Sequence, residues 1–214
     1  MRAHRTGPVP SPAAAAAAAF AAPRRQALFA TAIGTCGIAW QGEELTHVLL
    51  PAADAEATRS LLRHLSGAEQ ELQAQEQWPP FVASAISRMQ ALLEGGAVSL
   101  ADVPLAWRLV GDFERRVYEA TRQLAVGQTS TYGELARALG DAGGTATREA
   151  ATGGAARAVG VALGRNPWPL VVPCHRVLAA GGKLGGFSAP GGVATKEKLL
   201  AIEAVHARRE GELF

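Results

Sequence analysis

The chain has 214 residues, 48% hydrophobic and 19% charged, so it can bury a core as one large or two small domains without staples. Its two cysteines, Cys36 and Cys174, exclude a disulfide-stapled scaffold and any all-cysteine zinc site. The net charge of +2 is uneven: residues 1–26 carry four arginines and no acid, residues 27–106 three bases against nine acids, and residues 107–214 fourteen bases against ten acids. A polyanionic partner is therefore expected to meet the C-terminal half. Apart from an alanine tract, no apolar run approaches the roughly 18 residues of a membrane span.

Residues 1–26 read as a low-complexity extension. Pro8, Pro10 and Pro12 precede the alanines Ala13 to Ala19, and Pro23 closes the tract. With no apolar face to bury, disorder is expected. A secretory signal fits poorly, because alanine makes a weak hydrophobic region and the prolines interrupt it. From Gln26 the texture changes. Ala27–Ile33, Cys36–Trp40 and Leu45–Leu50 are short apolar runs separated by turn residues, which predicts a β-meander. Helical periodicity follows over 53–65, with Leu61, Leu62 and Leu65 on one face. It returns over 80–93, with Phe81, Ala85, Met89, Leu92 and Leu93 at helical spacing between Pro79-Pro80 and Gly95-Gly96. This acidic block has no cluster of chemically competent residues and reads as a supporting domain. Cys36, inside a strand, reads as a buried small hydrophobe.

After a linker around Val98–Pro104 the pattern is mostly helical. Asp112–Leu124 aligns Phe113, Val117, Ala120 and Leu124. Thr131-Tyr132-Gly133-Glu134 fits a capping box for a helix running to Leu139. A Gly-, Ala- and Thr-rich connector, Gly140–Gly154, leads to a further helix over 155–163 that ends at Gly164. Two helices and a connector suggest a helix-turn-helix, although this connector exceeds the usual three- or four-residue turn. In the second of them Ala155, Ala156, Ala158, Gly160 and Ala162 are small and Arg157 protrudes. That pattern fits tight packing on a neighbouring helix, or close approach to a nucleic-acid groove.

Leu170-Val171-Val172 reads as a short buried strand ended by Pro173, and Cys174-His175-Arg176-Val177 follow. A cysteine at the mouth of such a strand, beside His and Arg, is a candidate nucleophile, and nearby cations are expected to lower its pKa from about 8.5. His175, adjacent in sequence, is expected to reach it through a bridging water. Lys183–Gly192 is a Gly-rich loop holding Phe187, Ser188 and Pro190, and the last helix spans 195–208. Glu203 stands on the edge of that helix's apolar face. Its spacing leaves two placements: a solvated edge, or a partnership with His175 giving the nucleophile, base and orienter order of a triad. The scattered histidines offer too few ligands for a metal site.

The segment Asn166-Pro-Trp-Pro-Leu-Val-Val-Pro-Cys-His-Arg-Val177 resembles the active-site signature of the O6-alkylguanine-DNA alkyltransferases, the methylated-DNA–protein-cysteine methyltransferases. The similarity extends through Phe113–Tyr118, Thr131–Ala136, Ala155–Gly160 and Gly186–Lys196, over nearly all of residues 104–205. Residues 27–103 are more weakly similar to the family's variable N-terminal domain. The resemblance implies an α+β fold. Its parts would be a tail (1–26), a ribonuclease-H-like meander-plus-helix domain (27–103) and a mostly helical domain with a helix-turn-helix (104–214).

The resemblance also implies roles. Cys174 would accept the alkyl group, His175 take its proton through water and Glu203 orient His175. Asn166 would stabilise the active-site turn and Tyr132 aid protonation of the leaving guanine. Ser188, Val177, Phe187 and Lys196 would hold the base. Arg157, Ala155, Ala156, Tyr132 and Arg176 would meet DNA, with Arg157 replacing the extruded base. The function implied is single-turnover repair of O6-methylguanine, and possible O4-methylthymine, in double-stranded DNA by a monomer in the cytoplasm, with no cofactor, metal or membrane. The alternative is a non-catalytic alkyltransferase-like protein that flags damage. In those proteins the acceptor cysteine is replaced, so Cys174 argues against it. The long Gly140–Gly154 connector and the tail depart from the family pattern.

Overall fold

A computed structural model of the chain describes residues 21–141 and 154–211, with side chains described to residue 204. The predicted tail (up to residue 20) and most of the predicted connector (142–153) lie outside the described residues. The fold is mixed α and β, with six helices and a small sheet among the described residues. None of these helices is long and apolar enough to cross a membrane.

The meander forms as β1 (Arg24–Thr31), β2 (Gly34–Gln41) and β3 (Glu44–Leu49), paired antiparallel. The first strand takes in the last three residues of the expected tail, because Arg24, Arg25 and Gln26 pair with Gln41, Trp40 and Ala39. A two-residue strand that the sequence does not announce, β4 (Gln70–Glu71), adds parallel to β1 and gives the order β3-β2-β1-β4. Side-chain alternation divides the sheet between two helices. Phe29, Cys36, Ile38 and Trp40 enter the main core with Val82, Met89 and Leu92 of α2 (Pro80–Leu93). Leu28, Ala39 and Leu49 meet Leu62 of α1 (Ala55–Ser66) on the other face. Asp54 caps α1 by accepting from the Ala57 amide at 2.7 Å. Gly37 lets α1 come close: a Cβ there would lie 2.7 Å from Leu62 Cδ2.

The predicted shared face of Leu61, Leu62 and Leu65 is corrected here. The buried stripe of α1 is Thr58, Leu62 and Ser66, spaced by four, whereas Leu61 and Leu65 stay 36% and 50% exposed.

Beyond the sheet, Leu45 of β3 bonds on both sides of Leu105: its amide donates to the Pro104 carbonyl and its carbonyl accepts from the Ala106 amide, both at 2.9 Å. Then come α3 (Asp112–Thr121), β5 (Ser130–Thr131), α4 (Tyr132–Asp141), α5 (Gly154–Gly164), β6 (Val177–Leu178) and α6 (Gly192–Gly211). α5 packs against α3 and α4. One buried cluster joins the sheet side to these helices, through Trp40, Leu45, Tyr118, Val159 and Trp168.

The predicted strand Leu170–Val172 is a second correction. The segment is buried, but it is a run of turns with Leu170 at φ 72. Pro167, Pro169 and Pro173 remove the amides a ladder needs, and the Val172 amide folds back to the Trp168 carbonyl at 2.8 Å.

Candidate active site

These turns deliver Cys174, His175 and Arg176 on one 3-10 turn, which β6 then fixes by pairing Val177 with Ser130 and Leu178 with Thr131. That pairing sets Tyr132, the first residue of α4, beside the cysteine. The helix starts there because Thr131 and Glu134 cap each other: the Glu134 amide donates to Thr131 Oγ1 at 3.2 Å and the Thr131 amide to Glu134 Oε2 at 2.7 Å.

Asn166 ties the loop from inside. Its Nδ2 donates to the Val172 carbonyl at 2.9 Å and lies 3.4 Å from Cys174 Sγ, while its Oδ1 accepts from the Trp168 amide at 2.9 Å. Trp168 anchors the same loop to the sheet. Its Nε1 donates to the Leu45 carbonyl at 2.9 Å, and the Val48 amide donates to the Pro167 carbonyl at 2.8 Å. The Trp168 ring stands edge-on to Trp107 and Tyr118. The sequence reading missed this anchor, although a tryptophan between two prolines beside the cysteine motif was its signal.

Behind Cys174, His175 Nε2 lies 2.8 Å from Glu203 Oε1, with both residues 3% exposed or less. Glu203 is thus partnered and buried. Its second partner is Arg176, whose Nε reaches both carboxylate oxygens at 3.1 and 2.9 Å and whose Nη2 reaches Oε1 at 2.8 Å. Arg176 Nη1 donates to the Leu124 carbonyl at 2.6 Å. The expectation that Arg176 meets DNA is therefore corrected: at 5% exposure, its guanidinium is committed to a buried carboxylate. Burial pushes the Glu203 carboxyl up, but the hydrogen bonds from His175 and Arg176 and their charges outweigh it and hold the group at about 2. Burial lowers the pKa of His175, against the pull of Glu203. The other ring nitrogen, Nδ1, is buried and has no hydrogen-bond partner among the described residues.

The expected lowering of the Cys174 pKa is also corrected. Burial raises it, and the Asn166 hydrogen bond and the Lys196 charge only oppose the rise. Lys196 is fully buried and donates to the Val177 carbonyl at 2.6 Å, with its Nζ 5.8 Å from the centre of the Tyr132 ring.

In front of Cys174 lies a cavity of about 910 Å³. Tyr132, Ala156, Arg157, Phe187 and Ser188 line it together with Cys174. Arg157 and Ser188 are exposed, while Ala155 and Ala156 are half-buried. Gly160 faces the Tyr132 ring, where a Cβ would sit 3.8 Å from it. Arg137 and Leu163, not singled out from the sequence, line the cavity too. Among the described residues, no group of three or more His, Cys, Asp or Glu is arranged to hold a metal.

A buried cysteine next to a histidine–carboxylate pair, on a cavity bordered by two helices and an exposed arginine, is the arrangement of a candidate cysteine-nucleophile site beside a helix pair. The comparisons narrow that class. Residues 112–205 match the family model described as 6-O-methylguanine DNA methyltransferase, DNA binding domain. The methylated-DNA–protein-cysteine methyltransferase of Mycolicibacterium paratuberculosis is 39% identical over 136 residues, 64% of this chain and 73% of that one. A Mycobacterium tuberculosis OGT solved in complex with DNA superposes with a TM-score of 0.61 at 30% identity, covering 85% of this chain and 94% of the other. The O6-methylguanine-DNA methyltransferase of Pyrococcus kodakaraensis superposes with a TM-score of 0.60 at 26% identity, covering 84% and 98%. The chain belongs to the methylated-DNA–protein-cysteine methyltransferase family.

Proposed function

We propose that this protein repairs duplex DNA by moving an alkyl group from O6 of guanine to its own Cys174, once per molecule. The observation that carries the proposal is the Cys174 thiol on the wall of a cavity that Arg157 also lines, with the His175–Glu203 pair behind it. Glu203 is ionised at neutral pH, so the proton of that pair rests on His175 Nε2 and Nδ1 is left as the acceptor. Nδ1 takes the thiol proton through a bridging water as the reaction begins. The protein therefore rests as an inert thiol, which suits a reagent that must not be spent before it meets damage.

The sulfur then attacks the alkyl carbon, and the S–C bond forms as the C–O6 bond breaks. The electron pair returns to the purine, which takes a proton through Tyr132, so the proton lost by Cys174 balances the one gained by guanine. The product is a thioether with no carbonyl for water to attack, so the cysteine is not regenerated. Asn166 holds the turn, Ser188 donates toward O6, and the Cys174 and Val177 carbonyls meet the amino edge of the base. Phe187 completes the base site, and Lys196 supports it by fixing the Val177 carbonyl.

The attacked carbon is hidden in a stacked base, so the nucleotide must be extruded at a cost of roughly a few kcal/mol. α4 and α5 act as the two helices of the helix-turn-helix, α5 lies in the minor groove on Ala155 and Ala156, and Arg157 fills the vacated stack. O4-methylthymine is the second base of this kind. Residues 27–103 act as a supporting ribonuclease-H-like domain, 104–214 as the DNA-binding and transfer domain, and 1–26 as a tail. The protein acts as a monomer in the cytoplasm.

Mass spectrometry after mixing the full chain with an O6-methylguanine duplex tests this. One CH₂ is expected on the Cys174 peptide, once per molecule, abolished in Cys174→Ala and retained in Cys36→Ala. Repeated turnover, or methylation at another residue, would overturn the proposal.

A further inference from the structure

A second cavity, of about 480 Å³, meets the first at Cys174. Cys174, Phe187 and Ser188 line both. The far wall comes from the N-terminal region: His47 and Val48 of β3, and Leu61 and Leu65 of α1. Burial holds His47 neutral, with its pKa lowered to about 4. The two leucines are the large apolar side chains that the α1 stripe leaves outside the core. Pro167, Pro169 and Pro190 supply further apolar wall. The thiol is thus approached by two cavities. The first is bordered by Arg137 and Arg157, and the second by leucines and prolines with Arg165 and Asn166 also on its wall.

Resting on the alkyl transfer proposed above, we infer that the second cavity receives the distal carbons of a long O6-alkyl group, laid against Leu61 and Leu65. During transfer the attacked carbon must sit at Sγ while the purine occupies the first cavity. In an in-line displacement the rest of the chain leaves the attacked carbon sideways from the S–C–O6 axis, and the volume walled by leucines and prolines that opens beside Cys174 on the side of α1 is the second cavity. A methyl group ends before it. A hexyl group enters it, and each methylene buried there is worth about fourfold in affinity. The bonds made and broken are the same as for methyl: S–C forms, C–O6 breaks, and one proton passes from the thiol to guanine. α1, in the block whose sequence carried no chemistry, becomes an element that sets substrate size.

The test measures transfer rates of the full chain on two duplexes, one with O6-methylguanine and one with O6-hexylguanine. Both leucines are part-exposed, so substitutions there are tolerated by the fold. The wild type is expected to add C₆H₁₂ to the Cys174 peptide from the second duplex. Leu61→Ser with Leu65→Ser should slow hexyl transfer about tenfold or more and methyl transfer less than about twofold. Leu61→Trp, which fills the cavity, should do the same by exclusion. The inference is overturned if neither variant alters hexyl transfer, if both duplexes lose rate equally, or if the wild type transfers methyl but not hexyl. Failure of the wild type to transfer methyl would instead overturn the function proposed above.

Discussion

The N-terminal sheet and the C-terminal region each bury one free cysteine and hold one histidine lowered in pKa by burial, yet only one of the two is equipped for chemistry. Cys36 on β2 has Thr31 Oγ1 at 3.7 Å, and burial pushes its thiol up to about 12. His47 on β3 is lowered to about 4 by burial, with no partner for its buried Nδ1 among the described residues. Cys174 is buried like Cys36 and His175 more deeply than the half-buried His47, and their pKa values move in the same directions for the same reason. What differs is their company. Glu203 fixes the His175 tautomer, Arg176 fixes Glu203, Asn166 holds the turn, and two cavities reach the sulfur. Residue type and burial therefore do not separate the two regions. Hydrogen-bonded partners and access to a cavity do.

The sharpest way to break that comparison is to remove the company and leave the pair. Glu203→Gln keeps the shape but strips the charge that holds the proton on His175 Nε2. Methyl transfer is expected to fall about a hundredfold in single-turnover assays. The same change leaves the Arg176 guanidinium buried beside a neutral group, so urea unfolding should report a loss of roughly 3 kcal/mol. A variant that loses stability while transferring at the wild-type rate would reduce Glu203 to a structural role.

Next in size is the contrast between arginines. Arg157→Ala is expected to slow repair in duplex roughly thirtyfold, because the extruded state loses what fills its place. Reaction with the free base O6-methylguanine should change far less. Arg63→Ala, on α1 and mostly exposed, should change neither by more than about twofold. Equal losses in duplex and on the free base would remove the stack-filling role. A large effect at Arg63 would move the DNA surface into the N-terminal region.

Much of this contrast was legible in the sequence, for reasons that stop at identifiable residues. The meander, the capping box at Thr131 and the helix of small residues follow from local periodicity and turn chemistry, and all three form. Leu170–Val172 misled because apolarity signals burial but not extension, and the flanking prolines decide the backbone there. Arg176 misled because an arginine beside a catalytic motif is usually solvent-facing. Its partner is 27 residues away, on a helix whose approach only the tertiary fold sets. Leu61 and Leu65 misled because three leucines at helical spacing suggest one face, whereas the close approach at Gly37 selects Leu62 alone. Local signals named the chemistry, and pairings across the fold decided which charges were spent inside.

The smallest expected effect on alkyl transfer belongs to the pair without company, whose change appears in stability instead. His47 has a folded pKa of about 4, below the roughly 6.5 of an unfolded histidine. Between those values the unfolded chain binds a proton that the folded chain refuses, so stability is full above pH 6.5 and declines as the pH falls toward 4. His175 is shifted in the same direction, so it adds to the same decline. Glu203 adds its own loss only further down, below the roughly 4.3 of an unfolded glutamate and toward 2. The two regions can be separated because Gln at position 47 stays neutral at every pH. In His47→Gln, the stability lost between pH 6.5 and 4, followed by urea unfolding at stepped pH, should shrink by about 3 kcal/mol, with the share of His175 remaining. If the two curves run parallel, the His47 ring already takes up its proton in the folded sheet, and the likeness drawn between the two histidines fails.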